Sequence, residues 1–190
     1  MIAYAATKLT NWLRKYVPMT DSELEVYQYA FDIALYTVLS TLGLLCIGIA
    51  LGALLPTILC IALFYINQTF GGGYHAHSHM GCFMIMAVGL LSYLLLLSLQ
   101  PQAGICYGVA IFSFSVLMTK PLVLHKNKRY LEYKRKEFEV RSRVIVLIEM
   151  IILGLLLYSG NEQRMASISV SLLACASSRI AAWILEKRYT

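Results

Sequence analysis

Long apolar runs, separated by short polar turns, restrict the fold of this sequence more than any other feature. The predicted spans are residues 29–51, 54–66, 82–99, 105–118, 144–158 and 166–185. A helix of roughly 20 apolar residues crosses the hydrocarbon core of a bilayer. Hydrophobic residues form 59% of the 190-residue chain and charged residues only 14%, too few for a water-facing surface. We therefore predict an all-α fold, a polytopic membrane helix bundle of about six spans. A soluble enzyme, a disulfide scaffold and a disordered chain are excluded.

The second apolar run, residues 54–66, is the weakest of the six. It holds 13 residues, which is short for a full crossing. The residues that follow, 67–81, are polar and rich in glycine and histidine. Non-helical backbone is tolerated at membrane depth only where protein or a water-filled cavity surrounds it. The pattern therefore favours a broken or re-entrant element in this Gly/His-rich stretch.

The first 17 residues predict a short amphipathic helix. Its apolar side chains share one face: Ile2, Leu9, Trp12, Leu13 and Tyr16. The cations Lys8, Arg14 and Lys15 lie off that face. A helix of this kind lies in the membrane interface and is attracted to anionic lipid. We expect residues 1–17 to be an interfacial helix that contacts membrane lipid.

The positive charge is concentrated in one segment. The net charge is +6, and nine of the 16 lysines and arginines lie within residues 120–143. In a membrane protein this bias indicates a basic cytoplasmic loop rather than a nucleic-acid site. Six spans then place both termini and the segment 67–82 on the cytoplasmic side. We expect one integral membrane domain, residues 1–190, in the cell membrane.

The segment 67–82 carries the residues best suited to catalysis. A glycine triplet, Gly71–Gly73, is followed by His75, His77 and His79, and then by Cys82 at the start of an apolar run. A thiol beside an imidazole is typical of a cysteine nucleophile with a histidine base. We predict that Cys82 and His75 are the catalytic residues. Such a dyad needs no cofactor and no metal.

The spacing of His75 and Cys82 sets a condition on the backbone. The two residues are seven positions apart, which is about 10.5 Å along a helix and too far for a hydrogen bond. The segment must therefore leave the helical path, and the glycines permit that. Cys82 would then open the next helix, where the helix dipole and unpaired N–H groups favour a thiolate and a developing oxyanion.

Other interpretations of these residues remain open. Cys82 fits an ordinary core cysteine, and the three histidines fit a zinc site, although no carboxylate lies nearby. A broken helix with histidines is also compatible with a small transporter or channel. Glu149 and Arg179 are ionisable residues near or within spans, and so is Asp32; a structural pair between Glu149 and Arg179 is possible.

The glycine-histidine-cysteine pattern resembles a known family. Gly72–Ala76 with Cys82 is similar to the GG-x-H-A…C signature of the accessory gene regulator B (AgrB) family, membrane endopeptidases of bacterial quorum sensing. A second motif, Pro121 with His125–Lys128, resembles the family's P-x-x-x-H-x-N-K segment. The chain departs from the family at Asn67–Thr69, where members often carry basic residues. The departures at Leu124 and Lys126 replace an acidic residue and a proline.

The resemblance implies a defined reaction. The substrate would be a short precursor peptide with an amphipathic leader and an acidic C-terminal tail. Cys82 would attack the peptide bond before the tail, with His75 as base, and would form an acyl-enzyme thioester. A Cys or Ser within the precursor would then close a thiolactone or lactone ring. The resemblance also implies a homodimer in a bacterial cell membrane. The concentration of positive charge in one loop, described above, leads us to expect no nucleic acid partner.

Overall fold

The computed structural model describes residues 2–74, 76, 78–123, 134–160 and 162–186. All secondary structure within these residues is helical. The helices are α1 (Ile2–Arg14), α2 (Asp21–Ala50), α3 (Leu54–Gly71), α4 (His79–Ser98), α5 (Ala103–Thr119), α6 (Arg135–Tyr158) and α7 (Glu162–Glu186). They form two compact units, Met1–Ile47 and Gly48–Thr190.

The helices confirm the predicted class, an all-α polytopic membrane bundle. Within the described residues, four helices are long and apolar enough to cross a membrane: α2, α3, α4 and, in α7, Arg164–Leu185. Helix α5 is apolar but shorter, and α6 carries charges in its first turns. Helices α2 to α7 thus coincide with the six predicted spans.

The first unit contains α1 and most of α2. A capping box starts α2, because the Thr20 amide donates to Glu23 Oε2 at 2.9 Å and the Glu23 amide donates to Thr20 Oγ1 at 3.4 Å. Such boxes satisfy N–H groups that the first turn leaves unpaired. The cap explains why α2 begins at Asp21, two turns before the apolar run. The side-chain Nε2 of Gln28 also donates to Thr7 Oγ1 of α1 at 2.9 Å.

Helix α1 keeps part of its apolar face uncovered within this unit. Ala6 and Thr10 are buried, whereas Leu9, Trp12 and Tyr16 are exposed. The Trp12 and Tyr16 rings contact each other, with centroids 5.2 Å apart. Of the helix predicted for residues 1–17, the structure forms Ile2–Arg14, so Tyr16 lies beyond its end; its contact with lipid stays a prediction.

Helix α7 is the central element of the second unit. It packs against α3, α4, α5 and α6, and 44% of its apolar, membrane-length stretch is buried. The core cluster combines side chains from α5, α6 and α7: Cys106, Ala110, Leu117, Val146, Leu153, Met165, Ala166, Leu172, Cys175 and Ala176. This helix therefore holds the elements around it in place.

Helix α3 is longer than the apolar run that predicted it. It continues through the polar residues 67–70 and ends at Gly71. Asn67 faces inward, and its Nδ2 donates to Glu149 Oε1 of α6 at 2.7 Å. A polar side chain can stay in a buried helix when a partner satisfies it. The partner is 82 residues away in sequence, so a local hydrophobic pattern does not reveal it.

Helix α6 also begins earlier than predicted. The structure describes residues 120–123 and 134–143 of the predicted loop 120–143, and Arg135–Arg143 belong to α6. Two ion pairs with i,i+4 spacing support these turns: Arg135 with Glu139 at 3.0 Å, and Arg141 with Glu137. Pairs at this spacing stabilise helices.

Candidate active site

The chain leaves the helical path between α3 and α4. Helix α3 ends at Gly71 and α4 begins at His79, and the described residues between them, 72–74, 76 and 78, are not helical. The predicted break is therefore present, and it directly precedes the helix that carries Cys82. This is the condition that the seven-residue interval imposed.

The glycine triplet is required by close packing as well as by flexibility. A Cβ at Gly71 would overlap with the Arg179 guanidinium, and one at Gly72 would overlap with the Val123 carbonyl oxygen. Gly72 also has φ of +67°, which side-chain-bearing residues rarely adopt. A Cβ at Gly73 would lie 2.6 Å from Ser178 Oγ and would overlap with the Gln68 amide.

Backbone hydrogen bonds hold the first residues of the break. The Val123 amide donates to the Gly71 carbonyl at 2.9 Å. The Tyr74 amide donates to the Ser178 carbonyl at 3.2 Å and to Ser178 Oγ at 3.1 Å. The chain therefore leaves α3 along a path set by α7 and by the residues after α5.

Cys82 lies in the first turn of α4. Ser78 caps this helix, since its Oγ accepts from the Gly81 amide at 3.0 Å and its carbonyl accepts from the Cys82 amide at 3.0 Å. The start of a helix presents amide groups and positive partial charge that stabilise anions. The thiol is free and partly accessible. The expectation that Cys82 opens a helix agrees with this placement.

The other four cysteines occupy different surroundings. Cys60, Cys106 and Cys175 are free thiols buried between helices. Cys46 is exposed, but it lies in the apolar part of α2 near that helix's end. Among the five, Cys82 combines partial exposure with a position in the first turn of a helix.

The histidines are described in part. His79 is the first residue of α4 and is exposed. His75 and His77 lie outside the described residues, as does the motif His125–Lys128, so the pairing of His75 with Cys82 stays a prediction. Groups of three His, Cys, Asp or Glu that could hold a metal are absent from the described part of the chain. The zinc alternative includes His75 and His77, and it therefore stays open.

A buried polar cluster adjoins the glycines. Arg179 is 1% exposed and donates to carbonyl oxygens of α3 and α5 and to Ser142 Oγ. Glu149 accepts a hydrogen bond from Asn67, and its interaction with Arg179 is electrostatic. The possible structural pair between Glu149 and Arg179 is therefore present as an attraction between charges, beside the hydrogen bonds that each makes to other groups. The sequence analysis noted Glu149 and Arg179 because they are ionisable residues near or within predicted spans. No feature of the sequence indicated that they contact the Gly/His-rich stretch.

These features define a polytopic α-helical membrane protein whose candidate site lies where a glycine-rich break meets a capped helix. The model of the family described as Accessory gene regulator B (AgrB) matches residues 6–180. The chain belongs to the AgrB family. Its role is accordingly that of a quorum-sensing accessory gene regulator, in a family of peptide-processing proteins. Comparison with curated proteins and with solved structures gives no match.

Proposed function

We propose that this protein is a membrane-embedded cysteine endopeptidase. It removes the C-terminal tail of a quorum-sensing precursor peptide and promotes its cyclisation to a thiolactone or lactone. One observation carries the proposal: a partly accessible cysteine lies in the first turn of a capped helix, directly after a glycine-rich break. Family membership supplies the peptide-processing role.

In the first step, His75 takes the proton of the Cys82 thiol. The thiolate attacks the carbonyl carbon of the peptide bond before the tail, and a carbon–sulfur bond forms. The carbon–nitrogen bond then breaks, and His75 returns its proton to the leaving amine. The positive end of the α4 dipole, beside Cys82, favours the negative charge that develops on the carbonyl oxygen. The product is an acyl-enzyme thioester and a free tail.

In the second step, a Cys or Ser within the precursor attacks the thioester carbon. Its proton passes to the site, and the Cys82 thiolate leaves and is reprotonated. With an internal cysteine, one thioester is exchanged for another, so the exchange is close to balanced and needs no added energy source. Apolar surroundings limit water, which would otherwise hydrolyse the acyl-enzyme.

The proposal includes an orientation and partners. Both termini and the segment 67–82 face the cytoplasm of a bacterial cell, and the cations of residues 120–143 attract the acidic tail. Arg135 and Arg141 of this segment also pair with carboxylates within α6. Membrane lipid binds α1, and the active assembly is a homodimer.

Processing of a co-expressed precursor tests the proposal. The candidate precursor is a short peptide, encoded beside this chain, with an internal cysteine and an acidic tail. Cys82→Ala and Cys82→Ser should abolish release of the tail, because the thiolate is lost. Cys46→Ala, which removes an exposed cysteine outside the site, should process the precursor at the parent rate. Mass spectrometry of the peptide products measures all three.

Each alternative function predicts a different outcome in this assay. If both Cys82 variants still release the tail, the cysteine peptidase is contradicted. Loss of activity with chelators, together with tolerance of thiol alkylation, would favour the zinc protease. A parent that leaves the precursor intact would favour a transporter or channel.

A further inference from the structure

Arg179 is a buried cation in a helix apolar enough to cross the membrane. Its side chain is 1% exposed, and such charges persist in a bilayer only when they are well paired. Nη1 donates to the carbonyl oxygens of Leu117, Lys120 and Pro121 at 3.4, 3.3 and 2.9 Å. Nη2 donates to Asn67 O at 3.4 Å and Ser142 Oγ at 3.0 Å. The guanidinium thus joins four helices.

The backbone acceptors of Arg179 lie at or near the ends of α3 and α5. Leu117 is in the last turn of α5, whose final carbonyls lack partners within the helix. Lys120 and Pro121 follow directly after α5, and Asn67 is one turn before the end of α3. A cation at a helix C-terminus also stabilises the helix dipole. Arg179 therefore fixes the ends of α3 and α5 relative to each other.

The Gly/His-rich stretch leaves α3 against this guanidinium. A Cβ at Gly71 would overlap with Nη2 and Cζ of Arg179 and would lie 2.8 Å from its Nε. A flexible side chain normally moves to relieve such an overlap. Here movement would break the hydrogen bonds to α3, α5 and α6, so the glycine and the arginine depend on each other.

Ser178, the residue before Arg179, also holds the backbone of the break. Ser178 accepts the Tyr74 amide through its carbonyl and its hydroxyl, at 3.2 and 3.1 Å. Val123, two residues after the Pro121 carbonyl that Arg179 binds, donates to Gly71 O at 2.9 Å. One turn of α7 therefore orients residues 71–74, the start of the segment that leads to His75 and Cys82.

We propose that Arg179 is a positioning residue for the active site. By binding the ends of α3 and α5 against Gly71, it sets the path on which residues 72–74 leave α3, directly before the part of the sequence that holds His75 and Cys82. The inference rests on the proposed function. Arg179 is 1% exposed and its hydrogen bonds go to groups of this chain, so its expected effect is on the chemical step rather than on precursor binding.

A double-mutant cycle between Gly71 and Arg179 tests the inference. The purified full chain in lipid nanodiscs is given synthetic precursor, and kcat and KM are measured for Gly71→Ala, Arg179→Ala and the double variant. Misplaced reacting groups reduce rates about a hundredfold. We expect each single variant to lose kcat by about that factor, with KM nearly unchanged. The double variant should lose no more than one of them.

Three controls separate positioning from folding. Gly108→Ala replaces a helical glycine where a Cβ meets no described atom within 4 Å, and it should be silent. Leu153→Ala opens the buried core of α6 and should lower the melting temperature without lowering kcat per folded molecule. Arg179→Lys keeps the charge but lacks the planar fork that reaches both sets of acceptors, so kcat should stay low.

A second readout does not depend on the proposed function. Hydrogen exchange of peptides covering residues 71–82 should be faster in Arg179→Ala and Arg179→Lys than in the parent, and unchanged in Leu153→Ala. If Arg179→Ala does not accumulate in membranes, kcat and hydrogen exchange are both measured on Gly71→Ala and Arg179→Lys instead.

The outcomes separate the two proposals. Independent losses that multiply in the double variant, unchanged kcat in Arg179→Ala, or unchanged exchange in residues 71–82 would each overturn the positioning role. A parent that does not process the precursor would overturn the proposed function alone. In that case the exchange data still decide whether Arg179 orients the segment.

Discussion

The two ends of the break between α3 and α4 are held in different ways. At the α3 end, Gly71–Gly73 pack against a buried guanidinium and side chains of α3 and α7, and Val123 pairs with Gly71. At the α4 end, the helix is capped by Ser78, which is adjacent in sequence and itself exposed. The path of the chain out of α3 therefore depends on residues far away in the sequence. The cap of α4 comes from a neighbouring residue, and Cys82 stays partly accessible.

Among the variants that test this contrast, Gly72→Ala should reduce processing and stability the most. Gly72→Ala combines a φ of +67° with a Cβ that overlaps with the Val123 carbonyl, and backbone atoms cannot rotate away as a side chain can. We expect processing to be lost and the melting temperature to fall. Gly52→Ala is the matched control: its φ is +63°, but a Cβ there meets no described atom within 4 Å. It should show the backbone strain alone, about 1–2 kcal/mol of unfolding free energy. Equal losses in the two variants would contradict the role of close packing.

Gly73→Ala should have the next largest effect. Its Cβ would meet two side chains, the Gln68 amide and the Ser178 hydroxyl, which can move at the expense of the Tyr74 hydrogen bond. We expect about a tenfold loss of processing rate, less than the full misplacement of reacting groups. Adding Gln68→Ala should restore part of the rate by opening space. An unchanged rate in the double variant relative to Gly73→Ala would show that the Gln68 contact is unimportant.

Ser78→Ala should have a smaller effect at the α4 end. Loss of an N-cap side chain costs about 1 kcal/mol of stability. The first turn would fray, and processing should fall several-fold, while Ser78→Asp, which can still cap, should retain the parent rate. Ser98→Ala is the control, since that hydroxyl donates to the Leu95 carbonyl at the other end of α4. A Ser78→Ala variant as inactive as Gly72→Ala would contradict the contrast between the two ends.

The smallest effect is expected at the two histidines that the dyad does not use. His79 is exposed at the start of α4, and one general base suffices for the reaction. His79→Ala and His77→Ala should process the precursor at nearly the parent rate, whereas His75→Ala should not process it. Precursor turnover in membranes measures all three. Loss of turnover in all of them, reversed by added zinc, would favour the metal site.

The hydrophobic pattern predicted most of the fold. Each apolar run became a helix, because burial of apolar side chains is a property of the run itself. The limits of α3 and α6 were underestimated, since their added turns are polar. Asn67 in α3 depends on a distant carboxylate, and Arg135 in α6 depends on an ion pair one turn away.

The candidate site was predicted only in part. Cys82 was singled out by its place between a polar stretch and an apolar run, and the structure puts it in the first turn of a helix. The glycines were attributed to freedom of the backbone. Their close contacts with Arg179, Val123 and Ser178 come from residues 51 to 108 positions away along the chain. Such contacts depend on which helices become neighbours, and a single sequence does not encode that in any local pattern.

By itself, the sequence determined the class of protein, the approximate position of its helices and the segment that interrupts them, because these follow from hydrophobicity and from the lack of a Cβ in glycine. Only the tertiary structure decided how that segment leaves the bundle. The packing of α7 between its neighbours brings a buried guanidinium to the ends of α3 and α5. There it satisfies their carbonyls and leaves space for glycine alone at residue 71.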